Sequence, residues 1–109
     1  MAKRSKLNVV SAGCMMFTVT HALAAAPAMV TFESADGKTE LTGYVYLPDG
    51  APPHPAIVML HGRSGLYSSL KRGTYTAETL SARHRMWGEW WAKQGYVALL
   101  VDSFGPRGH

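Results

Sequence analysis

Apolar and polar positions along the chain alternate between short strand-like segments and one helical stretch. Val30-Thr31-Phe32-Glu33-Ser34 and Leu41-Thr42-Gly43-Tyr44-Val45-Tyr46-Leu47 are rich in strand formers and flank Asp36-Gly37, a strong turn signal. They predict an opening antiparallel hairpin. Four prolines between Pro48 and Pro55 exclude a helix or a central strand there and mark a connector. Ala56-Ile57-Val58-Met59-Leu60 is then apolar without interruption, as expected of a strand buried on both faces of a helix-covered parallel sheet. Gly62 to Thr76, with its glycines, serines and three basic side chains before Tyr75, reads as a long surface loop. Met86, Trp87, Trp90 and Trp91 fall on one broad stripe at i,i+4 spacing and predict a helix. Gly95 stands where a C-terminal cap belongs, with Lys93 in the last turn. A second continuous apolar run, Tyr96 to Val101, ends at Asp102. Strand, helix and strand in that order predict a βαβ unit, so the fold class is α/β.

The first 24 residues change how the rest is read. Lys3, Arg4 and Lys6 precede a mostly apolar span from Leu7 to Phe17, and Ala22-Leu23-Ala24-Ala25-Ala26 follows. Basic head, apolar middle and small-residue end make a secretory signal peptide over 1–24, with cleavage near 24–26. Residues 25–109 are then the exported part, periplasmic or secreted. Ser11, Gly13, Thr18, Thr20 and His21 dilute the span too much for a stable membrane anchor, which needs about 20 apolar residues. Loss of the leader lowers the formal charge from +4 by three, to +1, which removes the basic balance expected of a nucleic-acid partner. It also removes Cys14, the one cysteine, so no disulfide, redox pair or thiolate metal site is expected in the product. His54, His84 and His109 are scattered, without the spacing of a metal site.

The chemistry-bearing stretch is the exit from the Ala56–Leu60 strand into His61-Gly62-Arg63-Ser64-Gly65. A hairpin, a proline-rich connector, a strand into His-Gly-x-x-Gly, a helix ending in Gln94-Gly95-Tyr96 and a strand into Asp102-Ser103-Phe104-Gly105-Pro106-Arg107-Gly108 together resemble an α/β-hydrolase. More narrowly, they are similar to the dienelactone hydrolase family over about residues 30–109. The resemblance implies an incomplete α/β-hydrolase fold: an N-terminal antiparallel hairpin followed by a βαβ unit of a mostly parallel sheet. It also implies hydrolysis of a small-molecule ester or lactone through an acyl-enzyme, with no cofactor. The order in that fold is nucleophile, acid, histidine, the nucleophile sitting on a Gly-x-Ser-x-Gly type elbow. None of the three is recognisable here. The expectation is therefore an N-terminal portion that supplies part of an oxyanion hole through the backbone N–H of Arg63, with His61, Gly62 and Gly65 shaping the turn. The alternative is a short exported binding protein that keeps part of this scaffold without catalysis.

Each of these residues also has a plainer role. Ser64 lies in Gly62-Arg63-Ser64-Gly65-Leu66, which lacks the last glycine of an elbow and leads into a long loop, so it is expected to be a loop hydrogen-bonding residue. His61 is expected to tie the turn to neighbouring backbone, and Asp102 to stabilise the turn after its strand. Arg107 is a candidate for gripping an anionic group on a substrate, or else an exposed loop arginine. The helical spacing of the tryptophans points to core and interface rather than to a sugar platform.

Overall fold

The computed structural model describes residues 25–109, so the predicted leader lies outside the described residues. Four strands and one helix follow one another: β1 (Ala28–Glu33), β2 (Glu40–Tyr46), β3 (Ala56–Leu60), α1 (Ala82–Lys93) and β4 (Val97–Asp102). They build one mixed sheet in the order β1-β2-β4-β3. β1 pairs antiparallel with β2, and β2 antiparallel with β4; only β3 and β4 run parallel, with Val58 opposite Leu99. The molecule is a small mixed α/β domain. The hairpin and the βαβ unit are both present, but among these four strands the sheet is mixed rather than mostly parallel.

Local chemistry accounts for the turns. Asp36-Gly37 lies in the β1–β2 connection, which is longer than a two-residue turn. Asp36 Oδ1 accepts from Ser34 Oγ at 2.6 Å and from the Lys38 N–H at 3.2 Å, and Gly37 takes a φ of +66°. Ser81 caps α1, its Oγ accepting from the His84 N–H. At the other end Gly95 has φ +90°, its N–H donating to Ala92 and that of Tyr96 to Trp91, each bond 3.1 Å or shorter. The Trp91 and Tyr96 rings, 5.1 Å apart, close this Schellman cap with an apolar contact.

The core lies on one face of the sheet. Tyr44 and Leu100 meet Leu66 and Leu80 there, all four at 1% exposure or less. Register puts Val30, Phe32, Val58, Leu99 and Leu60 on the opposite face. Three expectations change here. β3 is the last strand in the sheet order, and Val58 and Leu60 are 59% and 73% exposed, so it is not buried on both faces among the described residues. An uninterrupted apolar run signals what a strand is suited to bury, not which neighbours are present. The segment after β3 is not simply a surface loop: Leu66 and Leu80 enter the core. An antiparallel bridge between Tyr67 and Leu80 closes it, with Ser68 N–H to Thr79 at 2.8 Å and Ser81 N–H to Leu66 at 2.9 Å. Finally, the tryptophan stripe is only partly covered by the sheet, with Trp91 half-buried. Trp87 and Trp90 are 44% and 45% exposed, while Gly88 is buried against the Tyr46 ring. A glycine gives the closest approach of helix to sheet, and that close approach sets which face of α1 packs.

Candidate functional site

β3 and β4 run parallel, so their C-terminal ends place His61 and Asp102 on the same rim. The His61 imidazole is 1% exposed. Its Nδ1 is 2.8 Å from the Gly62 carbonyl, and its Nε2 lies 3.2 Å from the Ser103 N–H and 3.0 Å from Ser103 Oγ. A backbone N–H can only donate, so Nε2 is the acceptor and Nδ1 carries the proton that Gly62 receives. Asp102 Oδ1, 3.9 Å from Nε2, makes no hydrogen bond with it. The Phe104 ring packs edge-on against the imidazole at 4.4 Å. His61 thus joins the loop after β3 to the loop after β4 from beneath.

Above it, the Gly62 carbonyl also accepts from the Gly65 N–H at 3.0 Å, closing a four-residue turn in which Gly65 has φ +76°. Among the described residues the Arg63 N–H has no hydrogen-bond acceptor. Arg63 and Ser64 are exposed and line an open cleft of about 920 Å³, together with Tyr67, Tyr75, Asp102 and Phe104. Ser64 has no histidine partner among the described residues.

Asp102 is 4% exposed, and its Oδ1 accepts from the Phe104 and Gly105 N–H groups at 3.0 Å each. Gly105 is dictated by this contact, since a Cβ there would lie 2.5 Å from Asp102 Oδ2. Arg107 is exposed and donates from Nη1 to the Ser103 carbonyl at 2.9 Å. It closes the turn after β4 and is not itself among the cleft-lining residues, although its neighbours Pro106 and Gly108 are. Hence His61, Gly62, Arg63, Gly65 and Asp102 come together, and Arg107 stands apart.

Of the other histidines, His109 lines the cleft with its ring 6.3 Å from that of Phe104, while His54 and His84 lie outside it. His54 Nε2 bonds the Gly50 carbonyl at 3.2 Å at the surface. His84 Nδ1 is 3.1 Å from the Leu66 carbonyl and 2.7 Å from Ser81 Oγ, and burial pushes its pKa below the usual imidazole value. Among the described residues no three His, Cys, Asp or Glu side chains are grouped to hold a metal ion, and no helix is long and apolar enough to cross a membrane.

Sequence reasoning missed the tyrosines. The Tyr44 and Tyr67 hydroxyls are 3.0 Å apart, and Tyr75 packs on Tyr67 with ring centroids 5.0 Å apart. Burial, with the nearby Asp102 carboxylate, holds the Tyr67 phenol protonated well beyond its usual range. The available signal was two aromatic residues, Tyr67 and Tyr75, inside a loop rich in glycine, serine and basic side chains. Comparison with protein-family models, with curated proteins and with solved structures finds no match to this chain.

Proposed function

We propose that this chain is the N-terminal portion of an exported ester or lactone hydrolase of the dienelactone hydrolase type, and that the Arg63 N–H is one donor of its oxyanion hole. The observation that carries this is the Arg63 N–H, which has no acceptor among the described residues. It sits at a parallel-strand exit, on a turn pinned from below by His61 and beside an open cleft. Donors fixed in advance near developing negative charge act without reorganising during the reaction. In the reaction, a serine or cysteine attacks the substrate carbonyl, its proton passes to a histidine, and the carbonyl oxygen becomes an oxyanion facing the Arg63 N–H. The tetrahedral species collapses to an acyl-enzyme with loss of the alcohol, and water then releases the acid.

Two features of the sheet support the hydrolase arrangement. In that arrangement the strand carrying the nucleophile adds beside β3, and β3 is an edge strand with no charge and no proline from Ala56 to Leu60. The sheet face opposite the core is apolar, suited to a second helical layer. Export follows from the leader read in residues 1–24.

The test is to express the reading frame that continues past His109 and assay hydrolysis of a simple aryl ester. A continuation carrying Gly-x-Ser-x-Gly or Gly-x-Cys-x-Gly, then an aspartate and a histidine, with turnover abolished by changing the nucleophile to alanine, is the expected result. A stop directly after His109 would overturn the proposal in favour of the non-catalytic binding protein.

A further inference from the structure

Tyr44 and Tyr67 share one hydrogen bond, 3.0 Å long, in which either oxygen could donate. Proton accounting settles the direction. Tyr44 is 0% exposed, and among the described residues the Tyr67 hydroxyl is its only partner. Were Tyr67 the donor, the Tyr44 proton would be sealed in the core without an acceptor, at a cost of about 1–3 kcal/mol. Tyr44 therefore donates, and the Tyr67 oxygen accepts. That leaves the Tyr67 proton to be given elsewhere. Tyr67 is only half-buried and lines the cleft together with Asp102, Tyr75 and Phe104. The direction available to its proton is outward, toward Asp102 and the cleft.

We infer that Tyr67 is a substrate-binding residue of the cleft, whose hydroxyl, with Tyr44 donating from behind, donates a hydrogen bond to a carbonyl oxygen of a planar ligand. Its chemistry follows from what surrounds it. The aromatic rings of Tyr67, Tyr75 and Phe104 suit a flat, mostly apolar body, and the phenol proton suits an uncharged acceptor on that body. Because Tyr44 occupies an acceptor lone pair of Tyr67, the Tyr67 O–H is left as the donor that faces the cleft. If the ligand is the ester or lactone proposed above, Tyr67 selects cyclic esters that present their carbonyl along the cleft floor. That refinement depends on the hydrolase reading; the donor itself does not.

The experiment measures binding rather than turnover, using the full-length protein and two probes of the same shape. These are 1-indanone, a planar bicycle with one carbonyl, and indane, which lacks it. Neither can be hydrolysed. Replacing Tyr67 alone would strand the Tyr44 proton, so the decisive variant is Tyr44→Phe/Tyr67→Phe, which removes both partners together and leaves the packing intact. Tyr44→Phe alone keeps the outward donor. The expected result is that the double variant binds 1-indanone about 3- to 10-fold more weakly than the unaltered protein, the range of one neutral hydrogen bond. Tyr44→Phe stays within about 2-fold, and indane affinity is the same in all three proteins. Equal weakening for both probes would reduce Tyr67 to a packing residue and overturn the inference. So would unchanged 1-indanone affinity in the double variant, or no binding of 1-indanone to the unaltered protein. Failure of the hydrolase proposal reads differently: aryl-ester turnover is absent while carbonyl discrimination persists.

Discussion

Gly88 offers the sharpest test of how α1 sits on the sheet. Glycine inside a helix ordinarily costs about 1 kcal/mol relative to alanine, so Gly→Ala in a 12-residue helix should stabilise. Here the sign reverses. A Cβ on Gly88 would overlap three ring atoms of Tyr46, a side chain only 4% exposed on β2. Neither side can give way easily: the ring is walled in, and lifting α1 would uncover the face that buries Gly88. Overpacking of this kind costs about 1–3 kcal/mol, and three simultaneous overlaps place it at the upper end. Subtracting the propensity gain leaves Gly88→Ala destabilised by about 2 kcal/mol, a drop of roughly 8–16 °C in Tm for a domain of this size. With Tyr46→Val as background the ring is absent, and Gly88→Ala should then stabilise by about 1 kcal/mol. The coupling between the two sites is thus about 3 kcal/mol, measurable by urea denaturation followed through tryptophan fluorescence. A Gly88→Ala protein more stable than its parent, or additive effects of the two changes, would refute the packing described for α1.

Three further predictions concern the polar groups. Tyr46→Phe removes a buried hydroxyl without a hydrogen-bond partner among the described residues; it should leave stability unchanged or raise it by about 1 kcal/mol, and it should abolish the phenol that burial has pushed up to about 12, as read by ultraviolet titration. Asp102→Ala orphans the Phe104 and Gly105 N–H groups and should cost about 2–3 kcal/mol, whereas Asp102→Asn retains the accepting oxygen and should cost under about 1 kcal/mol; equal losses on denaturation would contradict the turn role. His84 has its pKa lowered by burial, so the unfolded chain binds its proton more readily: stability is complete above the unfolded value of about 6.5 and falls as pH drops below it, and His84→Asn should flatten that fall in denaturation midpoints between pH 7 and 5.

What was legible in the sequence was local. Asp36-Gly37 marked a connection, Gly95 and Lys93 marked the end of α1, and two apolar runs marked the parallel pair. Each of those signals acts over a few residues. The misreadings concern what lies across space. Met86, Trp87 and Trp90 form the most hydrophobic stripe of α1, yet helix orientation follows Gly88, because contact distance rather than side-chain size decides which face meets Tyr46. β3 has the composition of a two-sided core strand, and its exposure depends on neighbours that no residue within it encodes. At the site, the His61-Gly62-Arg63 turn was visible as a motif, while Tyr67 was not. Its significance arises only when the Tyr67–Leu80 bridge folds the loop back over Tyr44.

The central claim is that the Arg63 main chain, not its side chain, stabilises an oxyanion. Arg63 does not occupy the positive-φ region that is closed to proline, and its N–H supports no bond within the fold among the described residues. In the full-length enzyme, kcat for an aryl ester is measured for Arg63→Ala and Arg63→Pro, each first shown to unfold at the parent temperature. The predicted result is a modest change for Arg63→Ala and a fall on the order of 10²–10³ for Arg63→Pro. A folded Arg63→Pro enzyme with near-parental kcat would contradict the claim.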